Sequence, residues 1–376
     1  MTTPAIDEQS RRILELVAKG EATSRSELAA ALGLAQSTIG TRVQALLATG
    51  ELTEAGTAVS RGGRPARTLS VNEAGGDILT VDLGGGHARV GRHALNGGLL
   101  DALTVPVNLA DGPEATLATV SGALTTLIDG GRVRAIGVSL PGPVDITTGS
   151  VELPSRMPGW PGFRVGEALS ERFDVPVAVD NDANLAALGE HAAQFGSSMH
   201  SITVKAGTAI GSGIIVDGRL HRGATFAAGD ISHTRIDRAA EAPCSCGNIG
   251  CLETVASGAG IVRQLREQGV DVATTAEALA LARDADPRAS RMVRKAGQRL
   301  GEVLSGVVNF FNPHAVFLTG SLSSSEPFIA AVRSRVYEGC HPLVTRELRI
   351  EAAQTGRDAI LFGAARLVLD ELPFLA

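Results

Sequence analysis

The stretch LTVDLGGGHARV, residues 79–90, combines an apolar strand pattern, an aspartate and three consecutive glycines. The apolar run before Asp82 is typical of a buried strand, and HARV after the glycines is typical of a second one. A glycine-rich turn lets backbone N–H groups approach and hold a phosphate. The stretch therefore predicts strand, turn and strand with a carboxylate at the tip, and it raises the question of whether the chain binds ATP.

The same pattern returns in SITVKAGTAIGSGIIVDGRL, residues 201–220. The runs RAIGVSL, VPVAVDND and AVFLTG predict further buried strands, and helices are expected over about 113–128, 182–194 and 327–338. A chain that repeats strand, glycine turn and strand within an alternating α/β pattern predicts a duplicated lobe with a cleft between the copies.

Length and composition limit the class of protein. The chain has 376 residues with 44% hydrophobic residues and a net charge of −6, which is enough for two or three domains with sizeable cores. It has no run of about 18 consecutive apolar residues, the length that a membrane-spanning helix needs, and no signal-peptide core at the N-terminus. We therefore expect a cytoplasmic protein that does not contact a membrane.

The first 72 residues predict a small helical module. A helix is expected over 6–19, Ser24 and Glu27 have capping-box spacing before a helix over 26–32, and Gly33 is placed to end that helix. A third helix is expected over 36–49, after Ala35, which is a poor N-cap residue. Two short helices joined by a turn form a helix-turn-helix.

A wing is expected after this module. Leu52 and Val59 are predicted to pair as a hairpin, and the cationic run RGGRP, residues 61–65, suits a narrow minor groove. The excess of basic over acidic residues in this segment is small, so a three-helix protein-interaction module remains an alternative. The candidate DNA-binding residues are Gln36, Ser37, Thr38, Thr41, Arg42, Arg61 and Arg64.

A series of motifs along the whole chain resembles the ROK family (repressors, open reading frames, kinases). In order they are VDLGGG, SLPGPVD, DNDANLAALGE, GTAIGSG, AAGDISH, CSCGNIGCLE, NPHAVFLTG and ILFGAARL. The resemblance implies an α/β, actin-like (ribonuclease H-like), two-lobed sugar-kinase fold preceded by an all-α winged helix-turn-helix domain, as in the regulator branch. The expected domains are residues 1–72, then 73–185 plus 363–376, then 186–362.

Three of the four cysteines fall within eight residues, in the pattern Cys-x-Cys-x4-Cys. Such thiolates can share one tetrahedral ion, and His233 is the nearest upstream candidate for a fourth ligand. The ROK resemblance implies the same four ligands, so one structural zinc per chain is expected; reduced cysteines without a metal are the alternative. The predicted ligands are His233, Cys244, Cys246 and Cys251.

The resemblance also implies a sugar pocket. Its residues are Asn181, Asp182, Asp230, His233 and Glu253. Carboxylates and an amide suit a ring of hydroxyl groups, and Asp182 is the general base if kinase activity is retained. Two departures from the family pattern, Asp230 for Glu and Ser232 for Gly, affect which sugar fits. Trp160 is expected to line the sugar pocket with an apolar surface.

The nucleotide site implied by the resemblance is retained only in part. Its retained residues are Asp82, Gly84, Gly85, Gly207, Thr208, Gly211 and Gly320. Gly86 replaces a Thr, and Ala209 and Thr319 each replace a Gly. If position 209 requires a positive φ, alanine there costs about 1–2 kcal/mol. Losses in three separate turns predict a degraded site that does not bind ATP.

These features predict a sugar-responsive transcriptional regulator, in particular a repressor, that binds operator DNA. A helix-turn-helix that reads a palindrome needs a two-fold partner, so a homodimer or homotetramer is expected. Two alternatives stay open. One is an active ATP-dependent sugar kinase with a DNA-binding appendage, and the other is a metal-stabilised scaffold without a ligand.

Overall fold

The computed structural model describes residues 8–18, 20–48, 50–57, 67–72, 75–128, 130–152, 157–195, 199–236 and 242–371. The predicted positions Ile6, Val59, Arg61 and Arg64 lie outside these residues. Within the described part of the chain, no helix is both long and apolar enough to cross a bilayer.

The N-terminal module has three helices and a two-stranded sheet. Its elements are α1 (Glu8–Ala18), α2 (Arg25–Leu32), α3 (Gln36–Ala48), β1 (Leu52–Thr57) and β2 (Arg67–Val71). The predicted capping box is present: Ser24 accepts from the Glu27 backbone and the Glu27 side chain accepts from the Ser24 backbone. Gly33 ends α2 with a φ of 63°. The helix-turn-helix prediction is therefore confirmed.

The hairpin of this module has a different partner from the one that we predicted. Leu52 pairs with Val71, because β1 runs antiparallel to β2 across a connection that contains residues 58–66. Burial explains why β2 pairs with β1. Leu69 on β2 is 1% exposed and joins Leu52 in the core of the module. The cationic run RGGRP, residues 61–65, lies outside the described residues.

The first α/β unit contains a five-stranded sheet. Its elements are β3 (Asp77–Leu83), β4 (His87–Ala94), β5 (Leu99–Pro106), α4 (Pro113–Leu127), β6 (Val133–Leu140), β7 (Val144–Asp145), β8 (Ser150–Val151), α5 (Val165–Phe173) and β9 (Val177–Asn181). The strand order is β5-β4-β3-β6-β9. Strands β3, β4 and β5 are antiparallel, as predicted, while β3, β6 and β9 are parallel.

The second unit repeats this sheet. Its elements are α6 (Asp182–Gln194), β10 (Ser201–Ala206), β11 (Ile210–Val216), β12 (Arg219–Leu220), α7 (Glu253–Ala256), α8 (Gly258–Glu267), α9 (Thr275–Arg283), α10 (Pro287–Phe311), β13 (Ala315–Thr319), α11 (Glu326–Gly339), α12 (Pro342–Thr345), β14 (Arg349–Ala352) and α13 (Ala359–Glu371). The strand order is β12-β11-β10-β13-β14, with β10, β13 and β14 parallel. The predicted duplication is confirmed.

Helices α6 and α13 pack against each other where the two sheets meet. Glycines allow this close approach, since a Cβ on Gly363 would lie 1.8 Å from the Leu185 carbonyl oxygen and one on Gly189 would lie 2.1 Å from that of Ala359. Their core joins Ile78 of the first sheet to Ile215 of the second. The predicted boundaries at 185/186 and 362/363 both fall inside these helices.

Candidate functional site

The candidate cleft lies at the carboxyl ends of the parallel strands of both sheets. Asp82 stands near the end of β3, Asn181 ends β9, Asp182 begins α6, and Gly320 follows β13. Open α/β sheets bind ligands at this edge, because the chain leaves the strands there and exposes backbone groups and side chains together.

Asn181 is held in place on both sides of its amide. Its Oδ1 accepts hydrogen bonds from the Ala183 and Asn184 backbone N–H groups at 2.9 and 3.3 Å, which caps α6. Its Nδ2 donates to the Gly142 carbonyl at 2.7 Å. Asn181 therefore fixes the loop after β6 to the start of α6 and sets the edge of the cleft.

Asp182 forms an ion pair that connects the two sheets. Its Oδ2 lies 2.5 Å from Nζ of Lys205, near the end of β10. Desolvation opposes the charged lysine, but Asp182 and Asp82 outweigh it and raise the pKa of Lys205. Lys205 was not among the predicted site residues. The signal that could have found it is a single charged residue in the otherwise uncharged strand SITVKA.

Asp82 lies across the cleft floor from this pair. Its Oδ1 accepts a hydrogen bond from Ser139 Oγ at 3.3 Å, which links β3 to β6. Burial raises the pKa of the Asp82 carboxyl, with Lys205 acting in the opposite direction. The structure therefore brings two carboxylates and one ammonium group together at the junction of the sheets.

The second glycine turn is fixed by helices α7 and α8. Glu253 Oε2 accepts from the Ile210 backbone N–H at 2.8 Å, and the N–H groups of Gly258 and Ala259 donate to the carbonyls of Gly207 and Thr208 at 2.7 and 3.0 Å. Glu253, predicted as a sugar residue, thus also holds a turn predicted for phosphate.

Ala209 does not carry the backbone strain considered above. The described non-glycine residues with positive φ are Asp174, Asp217, Phe226, Ala285 and Asn312. Ala209 is absent from this set, so its effect on a phosphate reduces to its Cβ. Gly320, with a φ of 86°, does need glycine, because a Cβ there would lie 2.5 Å from the Ala206 carbonyl oxygen.

A cavity of about 680 Å³ opens beside this turn. It is lined by Thr208 and by residues of α8 and of the start of α9, among them Arg263, Arg266 and Thr275. Space for a ligand is therefore present next to the second glycine turn, although Ala209 and Thr319 replace two of the glycines expected around it.

The four predicted metal ligands lie together. Their ligand atoms are all within 4.8 Å of one another. The Sγ atoms of Cys246 and Cys251 are 3.7 Å apart, and Cys244 Sγ is 3.5 Å from His233 Nδ1. Tetrahedral zinc with its usual bond lengths separates two sulfurs by about 3.8 Å and a sulfur from a nitrogen by about 3.6 Å. These distances fit zinc.

Electrostatics of the cluster also favour a cation. Burial, together with the neighbouring thiols, raises the pKa of Cys251 to about 12, whereas a backbone hydrogen bond from Asn248 lowers that of Cys246. A metal ion would supply the positive charge that three adjacent thiolates lack. Cys340 is separate: it is buried and donates to the Ser305 carbonyl at 3.3 Å, as a packed thiol does.

The segment that carries His233 also contacts the remaining sugar candidates, Asp230 and Glu253. The Glu253 backbone N–H donates to the Ser232 carbonyl at 2.9 Å, which brings Glu253 next to the segment of His233. Asp230 Oδ1 accepts from Ser232 N and Oγ at 3.1 and 2.7 Å. Ser232 therefore orients Asp230. These are the two residues that differ from the family pattern, which has Gly and Glu there.

Trp160 does not cover the cleft as predicted. Its side chain is 0% exposed and its Nε1 donates to the Leu109 carbonyl at 2.9 Å. It packs in the core between the first sheet and α4. A large aromatic with a nearby acceptor is more stable in the core than at the cleft edge, since burial removes more apolar surface from water.

The recognition-helix candidates occupy the exposed start of α3. Gln36, Ser37 and Thr41 are exposed, and Thr38 is partly exposed. Arg42 is partly buried, and its Nη1 donates to Ser10 Oγ of α1 at 3.4 Å. The structure thus brings the short polar groups to one surface and holds the guanidinium at the edge of that surface.

A buried ion pair joins the helical module to the first sheet. Arg134 Nη2 lies 2.8 and 2.7 Å from the two carboxylate oxygens of Glu51, and the two side chains are only 6% and 4% exposed. Arg134 is in β6, whose other end carries Ser139. The same strand therefore contacts both the module and the cleft.

These features define a two-lobed, sugar-kinase-like α/β protein with an N-terminal winged helix. A model of the ROK family matches residues 78–371, and a model of a winged helix-turn-helix DNA-binding domain matches residues 6–50. The chain belongs to the ROK family.

Similar proteins include regulators and kinases. The xylose repressor of Caldicellulosiruptor bescii is 25% identical over 380 residues, which is 96% of this chain and 95% of that protein. The crystal structure of a ROK transcriptional regulator homologous to E. coli MLC matches with a TM-score of 0.80, 26% identity and 97% of both chains. A Streptomyces griseus ROK glucokinase with glucose and AMPPNP matches at 0.69 and 27%, over 78% of this chain and 99% of that one.

Proposed function

We propose that this protein is a sugar-responsive transcriptional repressor. The observation that carries the proposal is that the likeness to a ROK regulator extends over 97% of the chain, winged helix included, whereas the likeness to the glucokinase covers 78%. Operator DNA binds to the winged helix, and a sugar or sugar derivative binds in the cleft. Since its target is DNA, the protein acts in the cytoplasm.

The sugar is held by the carboxylates and donors of the cleft. Asp182, Asp230 and Glu253 accept from hydroxyl groups, and His233 contributes Nε2 because its Nδ1 faces the cysteines. Asn181 contributes chiefly by positioning, as both ends of its amide are bonded within the protein. One zinc per chain, bound by His233 and the three clustered cysteines, keeps this loop in shape.

DNA is read by the start of α3 and by the wing. Gln36, Ser37, Thr38 and Thr41 face base edges, and Arg42 faces the backbone phosphates. Arg61 and Arg64 are proposed as wing contacts on the sequence argument alone.

The repressor acts as a homodimer or homotetramer. A two-fold partner is supported by two exposed apolar side chains near one another, Phe310 at 95% and Leu343 at 67% exposure. The segments that carry them are tied by the hydrogen bond from His341 N to Asn309 Oδ1. We keep the division into residues 1–72, then 73–185 plus 363–376, then 186–362, with α6 and α13 as the shared helices.

Two observations favour the second candidate function, an ATP-dependent sugar kinase. Asp182 is retained where the general base would stand, and the 680 Å³ cavity beside Thr208 has room for a nucleotide. Against it stand Gly86, Ala209 and Thr319, each of which changes a phosphate or nucleoside contact.

The deciding experiment measures operator binding and phosphoryl transfer side by side. Hexoses, pentoses, N-acetylhexosamines and their phosphates are added to the wild type with an operator fragment, and separately with labelled ATP. We expect one sugar to change operator affinity with no product from ATP. In a kinase, Asp182→Asn would lower turnover by about 10²–10⁴. Steady wild-type turnover that Asp182→Asn abolishes would contradict the proposed function.

A further inference from the structure

Lys205 is a charged residue in a strand whose other side chains are apolar or small. Val204 and Ala206 beside it are 0% exposed, whereas 31% of the Lys205 side chain is exposed. A lysine in such a strand must place its ammonium where other groups compensate the loss of water. The position of those groups shows what the lysine does.

One carboxylate compensates the ammonium directly, and a second lies near it. Asp182 Oδ2, at the start of α6, contacts Lys205 Nζ at 2.5 Å. Asp82, near the end of β3, makes no ion pair with Lys205, but its charge favours the protonated lysine. The ammonium comes from β10 of the second sheet, Asp82 from β3 of the first sheet, and Asp182 from the start of α6, directly after β9 of the first sheet. It therefore lies at the junction of the lobes, between residues predicted for phosphate and for proton transfer.

A pair of carboxylates in a cleft is the setting in which enzymes hold Mg²⁺. Phosphoryl transfer uses a divalent ion to bridge phosphate oxygens and to neutralise their charge. Such an ion needs about six oxygen ligands in an octahedron. A tethered ammonium carries one charge and can donate three hydrogen bonds, so it pairs with Asp182 without recruiting phosphate oxygens. Its charge also repels a second cation.

We propose that Lys205 is a specificity-determining residue whose ammonium, paired with Asp182 and near Asp82, takes the place of a divalent ion, so that the cleft accepts a neutral polyol and rejects a metal-bound nucleotide. This inference rests on the proposed sensor function. Within it, Asp182 uses Oδ2 for Lys205 and Oδ1 for a sugar hydroxyl, and a Lys205 N–H donates to the same hydroxyl oxygen.

Manganese binding tests the proposal directly. Zinc-loaded protein is titrated with Mn²⁺, and free Mn²⁺ is followed by electron paramagnetic resonance. The wild type should bind no Mn²⁺ in the cleft. Lys205→Met, which keeps the length of the side chain and removes the charge, should gain one site per chain, with a dissociation constant at least about tenfold lower than any wild-type binding, a difference of about 1.4 kcal/mol.

Two controls identify the site. Lys205→Arg keeps a positive charge and should behave as the wild type. Adding Asp82→Asn to Lys205→Met should abolish the gained site, because one of the two carboxylates is then lost. If Lys205→Met does not fold, Lys205→Gln serves the same purpose, since it retains a donor to Asp182 without the charge.

The outcomes separate this inference from the proposed function. Mn²⁺ binding to the neutral variants that is no tighter than to the wild type, or that survives Asp82→Asn, overturns the role of Lys205 and leaves the sensor function intact. Turnover of ATP by the wild type overturns the sensor function itself and is measured in a separate assay.

Discussion

At the residue scale, several side chains of the cleft serve two purposes. Asn181 caps α6 and fixes Gly142, while Glu253, a proposed sugar ligand, holds the Ile210 backbone. In the proposed sensor, each such residue couples a ligand contact to the position of a turn. A substitution there changes both binding and local geometry, so affinity alone does not distinguish the two effects.

The cysteine cluster provides a residue-scale prediction. If zinc is bound as proposed, Cys246→Ser should lower it from one ion per chain to well below one. Sugar binding should also be lost, because the proposed role of the ion is to orient the loop that carries His233 and Asp230. The lobe itself should stay folded, since its core is made by the sheet and α10. Metal analysis, thermal unfolding and sugar titration measure the three effects.

Cys340→Ser is the matched control, because Cys340 lies apart from the cluster and its thiol donates to the Ser305 carbonyl. It should retain the full zinc content and sugar affinity. Zinc-free wild-type protein that binds sugar normally would remove the proposed role of the ion.

At the element scale, α3 is both a packing element and a DNA-facing surface. Ile39, Val43 and Leu46 are buried in the module core, and the residues between them face outward. Arg42 lies at the border of these two faces. Its bond to Ser10 ties α3 to α1, so its effect on DNA affinity has two separable causes.

We expect Arg42→Ala to weaken operator binding and to lower the slope of log affinity against log salt by about one unit, as the loss of one phosphate contact does. Ser10→Ala is the matched control, because it removes the bond between the helices and keeps the guanidinium. It should leave the salt slope unchanged. Titrations of both variants at several salt concentrations measure this, and equal slopes for Arg42→Ala and wild type would limit Arg42 to packing.

At the scale of the whole molecule, the Glu51–Arg134 pair connects the two functions. Strand β6 extends about 20 Å from Arg134 to Leu140, and Ser139 near its far end bonds to Asp82 in the cleft. A change of contacts at the cleft and a change of contacts at the winged helix can therefore both alter the position of β6.

We expect Glu51→Gln to destabilise the protein by about 3–5 kcal/mol, because it leaves the buried Arg134 charge without its carboxylate. Combining Glu51→Leu with Arg134→Met removes both charges and should recover most of that stability, while the effect of sugar on operator affinity should stay reduced. Thermal unfolding and operator titrations with and without sugar are the measurements.

Arg25→Ala is the control, since it breaks a partly exposed pair with Glu54 inside the module, where a loss below about 1 kcal/mol is expected. A normal sugar response in the Glu51→Leu, Arg134→Met protein would show that the module is coupled to the cleft by another route.

Local patterns predicted most of the elements correctly. The capping box at Ser24, the turn at Gly33 and the helix that follows Asn181 depend on residues within a few positions of one another, so their chemistry is readable along the chain. The metal cluster was predictable for the same reason, as three of its ligands lie within eight residues. Family motifs extended this to the cleft residues.

The sequence by itself determined the helical module, the repeated α/β lobes and the set of candidate metal ligands. Only the tertiary structure decided the partner of Leu52, the burial of Trp160, and the pairing of Lys205 with Asp182 and of Glu51 with Arg134. Each of these depends on residues far apart in the chain, brought together by sheet register and by burial. A charge on a strand or a buried aromatic has no partner until the fold places one beside it.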